Sequence, residues 1–113
     1  MIHRKEVTKL KILFHIDDPA KWTHLQSNIT NALAAQPSTA IVVVANGSGI
    51  QAYLTAEAKQ FMANHQTVEF DSCRNSMKSH HITADQVAGT KIVPVGVLRI
   101  AELQSNGFAY IKL

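Results

Sequence analysis

A chain of 113 residues with 46% hydrophobic and 17% charged residues has apolar content for one self-sufficient core and too little length for two. That balance excludes a disordered chain and a membrane-spanning one, and predicts a soluble globular protein. The formal charge of +3 is N-terminal, because Arg4, Lys5, Lys9 and Lys11 stand against Glu6 and the remainder of the chain balances. A local cluster of this kind is not the converging cationic face that phosphate binding needs, so nucleic acid is not expected as a partner.

In chain order, Lys11-Ile12-Leu13-Phe14-His15-Ile16 reads as a strand stopped by Asp17-Asp18-Pro19, with Asp18 as candidate N-cap and Pro19 in the first turn of a helix. Trp22, Leu25, Ile29, Ala32 and Leu33 recur at helical spacing up to Gln36-Pro37-Ser38. Ile41 to Ala45 is a continuous β-branched run, the pattern of a strand covered on both faces. Asn46-Gly47-Ser48-Gly49 turns the chain into a helix marked by Ile50, Tyr53, Leu54, Ala58, Phe61 and Met62, ending near Asn64-His65. Val68-Glu69-Phe70 is a short third strand, and a helix is expected to begin within Asp71-Ser72-Cys73 and reach Lys78. One helical turn is expected from Thr83, then a fourth strand at Lys91-Ile92-Val93 stopped by Pro94. A last helix spans Val95 to Leu103 with Asn106-Gly107 as its C-cap pair, and Phe108 to Leu113 closes as a strand.

Strands and helices alternating in this way predict one α/β domain over residues 1–113, a flavodoxin-like three-layer sandwich with a mainly parallel five-stranded sheet. In the flavodoxin order the ligand crevice opens between the first and third strands. Those strands end here at His15 to Asp18 and at Asp71 to Cys73.

Cys73 is the single cysteine. It excludes an internal disulfide, and with no signal-peptide pattern the expected compartment is the cytoplasm, where the N-x-S/T tripeptides at Asn28 and Asn46 are coincidental. At the start of a helix a thiol is drawn toward its thiolate form. Arg74 and Lys78, with His80 or His81, would add positive potential, whereas Asp17, Asp18 and Asp71 would oppose it. A small buried hydrophobe is the alternative role for a free cysteine, and the sequence leaves both open.

Backbone N–H groups of Gly47, Ser48 and Gly49 follow a strand and precede a helix, a context that can hold a small anion. The loop lacks a full G-x-G-x-x-G and a Walker lysine, and a tight turn explains its glycines equally well. The six histidines show no metal-ligand spacing, so neither a metal nor a cofactor is expected. Apolar residues on more than one side of the Val95 to Leu103 helix predict a subunit interface, and hence a homo-oligomer.

Five pieces taken in order resemble the DsrE/DsrF-like family of small intracellular sulfur-metabolism proteins. They are Ile12-Leu13-Phe14-His15-Ile16-Asp17 with Trp22 and Asn28 to Ala32; Val44-Ala45-Asn46-Gly47-Ser48-Gly49-Ile50; Val68-Glu69-Phe70 leading to Cys73-Arg74-Asn75-Ser76-Met77; Val93-Pro94-Val95-Gly96-Val97; and Leu103 to Lys112. The resemblance implies a flavodoxin-like fold, a homo-oligomer such as a trimer or hexamer, and a sulfur-accepting cysteine after the third strand. Cys73 matches that position, and Asn75 and Ser76 match the polar residues that follow it, beside Arg74. The implied activity is carriage of sulfane sulfur as a Cys73 persulfide, taken from a donor and passed to a thiol on a partner protein. The alternative is a non-catalytic oligomeric binding module for a small anion or a protein partner.

Overall fold

The computed structural model describes residues 9–113; Arg4, Lys5 and Glu6 of the basic cluster lie outside the described residues. The strands are β1 (Lys11–Ile16), β2 (Ala40–Ala45), β3 (Glu69–Cys73), β4 (Lys91–Val93) and β5 (Ala109–Lys112). The α-helices are α1 (Trp22–Ala35), α2 (Ala56–Ala63), α3 (Arg74–Ser79) and α4 (Gly96–Ser105), with 3-10 helices at Pro19–Lys21, Gly47–Leu54 and Ala84–Val87. All strand pairs are parallel, as the buried Ile41 to Ala45 run implies.

The α/β sandwich and its five-stranded parallel sheet are as expected, but the strand order is not that of flavodoxin. It runs β4-β3-β2-β1-β5. β2 therefore lies between β1 and β3, and the crevice expected between the first and third strands does not form. The cause is the direction of the connections. Three successive crossovers step the same way along the sheet, and only the last, from β4 to β5, returns across it. Right-handed crossovers stepping one way place their helices on one face, and the returning one places its helix on the other.

The packing follows that division. Phe14, Ile16, Trp22, Leu25, Tyr53, Phe70 and Met77 belong to a large core on the α1, α2 and α3 side. Leu13, Val42 and Val44 pack with Leu103 of α4 in a smaller one. The order reverses between β1 and β5, whereas Cys73 ends β3 and is paired in register with Val93 of β4.

Two elements differ from their sequence patterns. The single helix expected from Ile50 is broken at Thr55, whose extended backbone ends the 3-10 helix and whose Oγ1 caps α2 by accepting from Ala58 N at 3.0 Å. β3 continues through Asp71, Ser72 and Cys73, where the next helix was expected to begin. Arg99 of α4 supplies the reason by donating to Asp71 Oδ2 at 3.0 Å, and the Ser72 hydroxyl meets that of Thr90 at 2.6 Å. Polar side chains with partners of this kind stay in a buried strand. The remaining caps behave as anticipated. Asp18 Oδ1 accepts from Ala20 N, and Gly107, with φ of 89°, lets Phe108 N–H return to Leu103 O.

Candidate functional site around Cys73

Side chains alternate along a strand, so Glu69, Asp71 and Cys73 share the face of β3 turned to α4, opposite Phe70. Cys73 is only 4% exposed. Its sulfur is nevertheless hydrogen-bonded: Gly96 N–H donates to Sγ at 3.3 Å. The N-cap of α4 is Val95, whose side chain makes no capping bond, so the thiol takes over one of the unpaired donors of that first turn. Gly96 leaves room for the approach. A Cβ there would lie 3.2 Å from Cys73 Cβ, 3.2 Å from Asn46 Cβ and 3.5 Å from Sγ.

On the other side, Ser76 Oγ accepts from Gly47 N–H at 2.7 Å, leaving its own proton for the thiol. Burial pushes the Cys73 thiol up. Hydrogen bonds from the Ser76 hydroxyl and from the backbone N–H groups of Ser76, Gly96 and Asn75 outweigh that, and hold it below the usual cysteine value. The site can therefore present a thiolate, which is the nucleophilic form.

The residues singled out from sequence divide by how they reach the sulfur. Ser76 acts through side chain and backbone, Asn75 through its backbone N–H, and Arg74 is exposed at the first position of α3. The Gly47-Ser48-Gly49 loop braces neighbouring backbone. Gly47 N–H is on Ser76 Oγ, Ser48 Oγ donates to Asp17 O at 3.1 Å, and Gly49 N–H is on Asn46 O at 3.0 Å. Gly47 takes a positive φ of 54°, while Gly49 is there for close approach: a Cβ would stand 2.3 Å from Ile16 O. The carboxylates expected to oppose a thiolate each have a partner. Lys112 pairs with Asp17 at 3.0 Å and holds its carboxyl below the usual carboxylate pKa, Asp18 caps a turn, and Asp71 meets Arg99.

Two groupings escaped the sequence reading. The first is the clamp of Arg99 on Asp71, Glu69 and Glu102. Asp71 is fully buried, and burial, reinforced by the adjacent Glu69 carboxylate, pushes it up to about 7 against the opposing pull of Arg99. With both carboxyls ionised Asp71 Oδ1 has no donor among the described residues; a proton shared with Glu69 supplies one, and Glu69 is correspondingly lowered. The i, i+2, i+4 spacing of Glu69, Asp71 and Cys73 was its signal, hidden by ending the strand at Phe70. The second grouping joins three strands: His15 Nε2 is 2.7 Å from Asn46 Oδ1, and His15 Nδ1 is 2.6 Å from the Tyr110 hydroxyl. His15 and Tyr110 are 95 residues apart and meet only because β1 pairs with β5.

A cavity of about 290 Å³ lies between β4 and α4, lined by Ile92, Val93, Pro94, Val95, Leu98 and Arg99 among others; Cys73 is not among its lining residues.

The model of the DsrE/DsrF-like family matches residues 11–113. A protein of unknown function from Methanobacterium thermoautotrophicum, MTH1491, is similar in structure with a TM-score of 0.84 and 30% identity, over 93% of this chain and 100% of that one. A conserved protein of unknown function from Bacteroides thetaiotaomicron, BT1422, shares the fold with a TM-score of 0.70 and 15% identity, over 93% of this chain and 94% of the other. No curated protein matches.

Proposed function

The chain belongs to the DsrE/DsrF-like family, and we propose that within it the chain is a sulfur carrier, holding sulfane sulfur as a persulfide on Cys73 and passing it to a thiol on a partner protein. Membership supports a sulfur-relay role at the level of the family. The observation that carries the finer reading is the environment of the thiol: a buried sulfur, at a strand end, with the Gly96 N–H on it at 3.3 Å, where the donors of Ser76 and Asn75 also favour its anion. A merely apolar cysteine has no use for such donors.

The exchange is balanced without an oxidant. Cys73 thiolate attacks the outer sulfur of a donor persulfide, one S–S bond forms as the donor's breaks, and the donor leaves as a thiolate with the electron pair. Attack by a partner thiolate on the outer sulfur of loaded Cys73 empties it in the same way. The sequence has no second cysteine to do this internally, so release requires another molecule. The reading includes a cytoplasmic homo-oligomer, a trimer or hexamer. Val97 and Leu98, 62% and 66% exposed in the first turn of α4, are large apolar side chains that association would cover.

The test is intact-mass measurement after incubation with thiosulfate or a polysulfide, for wild type and Cys73→Ser. The expected result is a gain of one sulfur that a reductant removes and that the variant never shows. No adduct with any donor would leave the oligomeric binding module in its place.

A further inference from the structure

Asn46 directly follows β2, at the N-cap position of the Gly47–Leu54 3-10 helix, where an asparagine side chain ordinarily accepts a backbone hydrogen bond. It makes no such bond here. Its Oδ1 lies 2.7 Å from His15 Nε2 instead, and His15 Nδ1 lies 2.6 Å from the Tyr110 hydroxyl. Asn46 Oδ1 can only accept, so Nε2–H donates to it, and the Tyr110 hydroxyl, which can donate or accept, completes the pairing at Nδ1. With Oδ1 held, the amide nitrogen occupies the other branch of the side chain, and it has no partner among the described residues. Asn46 and Cys73 both border Gly96: a side chain there would begin 3.2 Å from Asn46 Cβ, 3.2 Å from Cys73 Cβ and 3.5 Å from Sγ, so the two side chains start on the same small space.

We propose that Asn46 is a catalytic residue of the Cys73 site, its amide N–H donating to the negative charge of an anionic sulfane-sulfur species, and that His15 and Tyr110 are positioning residues that hold this rotamer. The proposal rests on the carrier reading above. When Cys73 thiolate attacks the sulfane sulfur of thiosulfate, the new S–S bond forms, the old one breaks, and sulfite departs with its electron pair. The negative charge left on the protein then sits on the outer sulfur. Gly96, Ser76 and Asn75 surround the inner sulfur; Asn46 supplies a donor for the outer one. A fixed donor aimed at developing charge, with its orientation set in advance, stabilises the transition state without reorganisation.

Iodoacetate and iodoacetamide differ chiefly in charge, so the ratio of their alkylation rates at Cys73 reads anion recognition and cancels any change in thiolate fraction. Asn46→Ala is expected to lower the iodoacetate-to-iodoacetamide ratio by about tenfold, the loss of one hydrogen bond to a charged group. Tyr110→Phe, a change on an exposed edge strand, is expected to lower it less, by freeing His15. A purely structural tie between β1, β2 and β5 would reduce stability and leave both ratios at the wild-type value, which would overturn the assignment. Sulfur uptake from thiosulfate, followed by mass in the same variants, is expected to slow in parallel. A wild-type chain that shows the anion preference and takes up no sulfur would remove the carrier reading and leave Asn46 as the anion-facing group.

Discussion

Glycines decide how near the backbone can come to the chemistry, and the two that matter do so by having no side chain at all. Gly96 lets α4 place its N–H on the Cys73 sulfur. Gly49 lets the loop after β2 lie against the end of β1, where a Cβ would meet Ile16 O at 2.3 Å and Asp17 Cα at 2.7 Å. Backbone cannot yield as a flexible side chain would, so Gly49→Ala is expected to cost about 3 kcal/mol of stability, measured as a lower denaturant midpoint. A variant as stable as wild type would show that the loop has room. At this scale Cys73 was legible from sequence because it is alone and follows an apolar run, and Ser76 because it belongs to the recognised motif. Asn46 and His15 were not legible, since their roles exist only through contacts between residues far apart in the chain.

Elements inherit their limits from such contacts. β3 reads as three residues because Asp71 and Ser72 look like turn residues; they are strand because Arg99 and Thr90 satisfy them. The same burial gives this element a pH signature. Folded, Asp71 keeps its proton up to about pH 7, while the unfolded chain gives it up near the ordinary carboxylate value of 3.8. Between those values the unfolded state binds fewer protons, so this group's contribution to stability declines as pH rises through the window. Glu69, shifted down, gains stability with pH only below its ordinary 4.5. Asp71→Asn keeps an acceptor for Arg99 Nε and removes the titration. Its melting temperature relative to wild type is expected to move in the variant's favour from about pH 5 to about pH 8; a constant difference would mean that Asp71 is ionised throughout.

For the molecule as a whole, local periodicity revealed the alternation of strands and helices and the parallel sheet, but not which strands are neighbours. Adjacency depends on the direction each crossover takes, and no residue pattern within a strand encodes that. Among the described residues, the order found leaves α4 as the one helix on its face of the sheet, with Val97 and Leu98 exposed on it. If these side chains are covered by other copies of the chain, wild type should scatter light as an oligomer, and Leu98→Lys should shift it toward single chains. A wild-type protein that is a single chain at the highest concentrations reached would place the partner surface elsewhere.

Everything functional rests on one physical statement, that hydrogen bonding outweighs burial and keeps Cys73 a thiolate below the pH at which an ordinary cysteine ionises. The rate of Cys73 alkylation by iodoacetamide against pH measures it directly. The predicted midpoint lies below that of a free thiol, and Ser76→Ala moves it upward by removing the side-chain donor. A midpoint at or above the ordinary value, unmoved by Ser76→Ala, would contradict it.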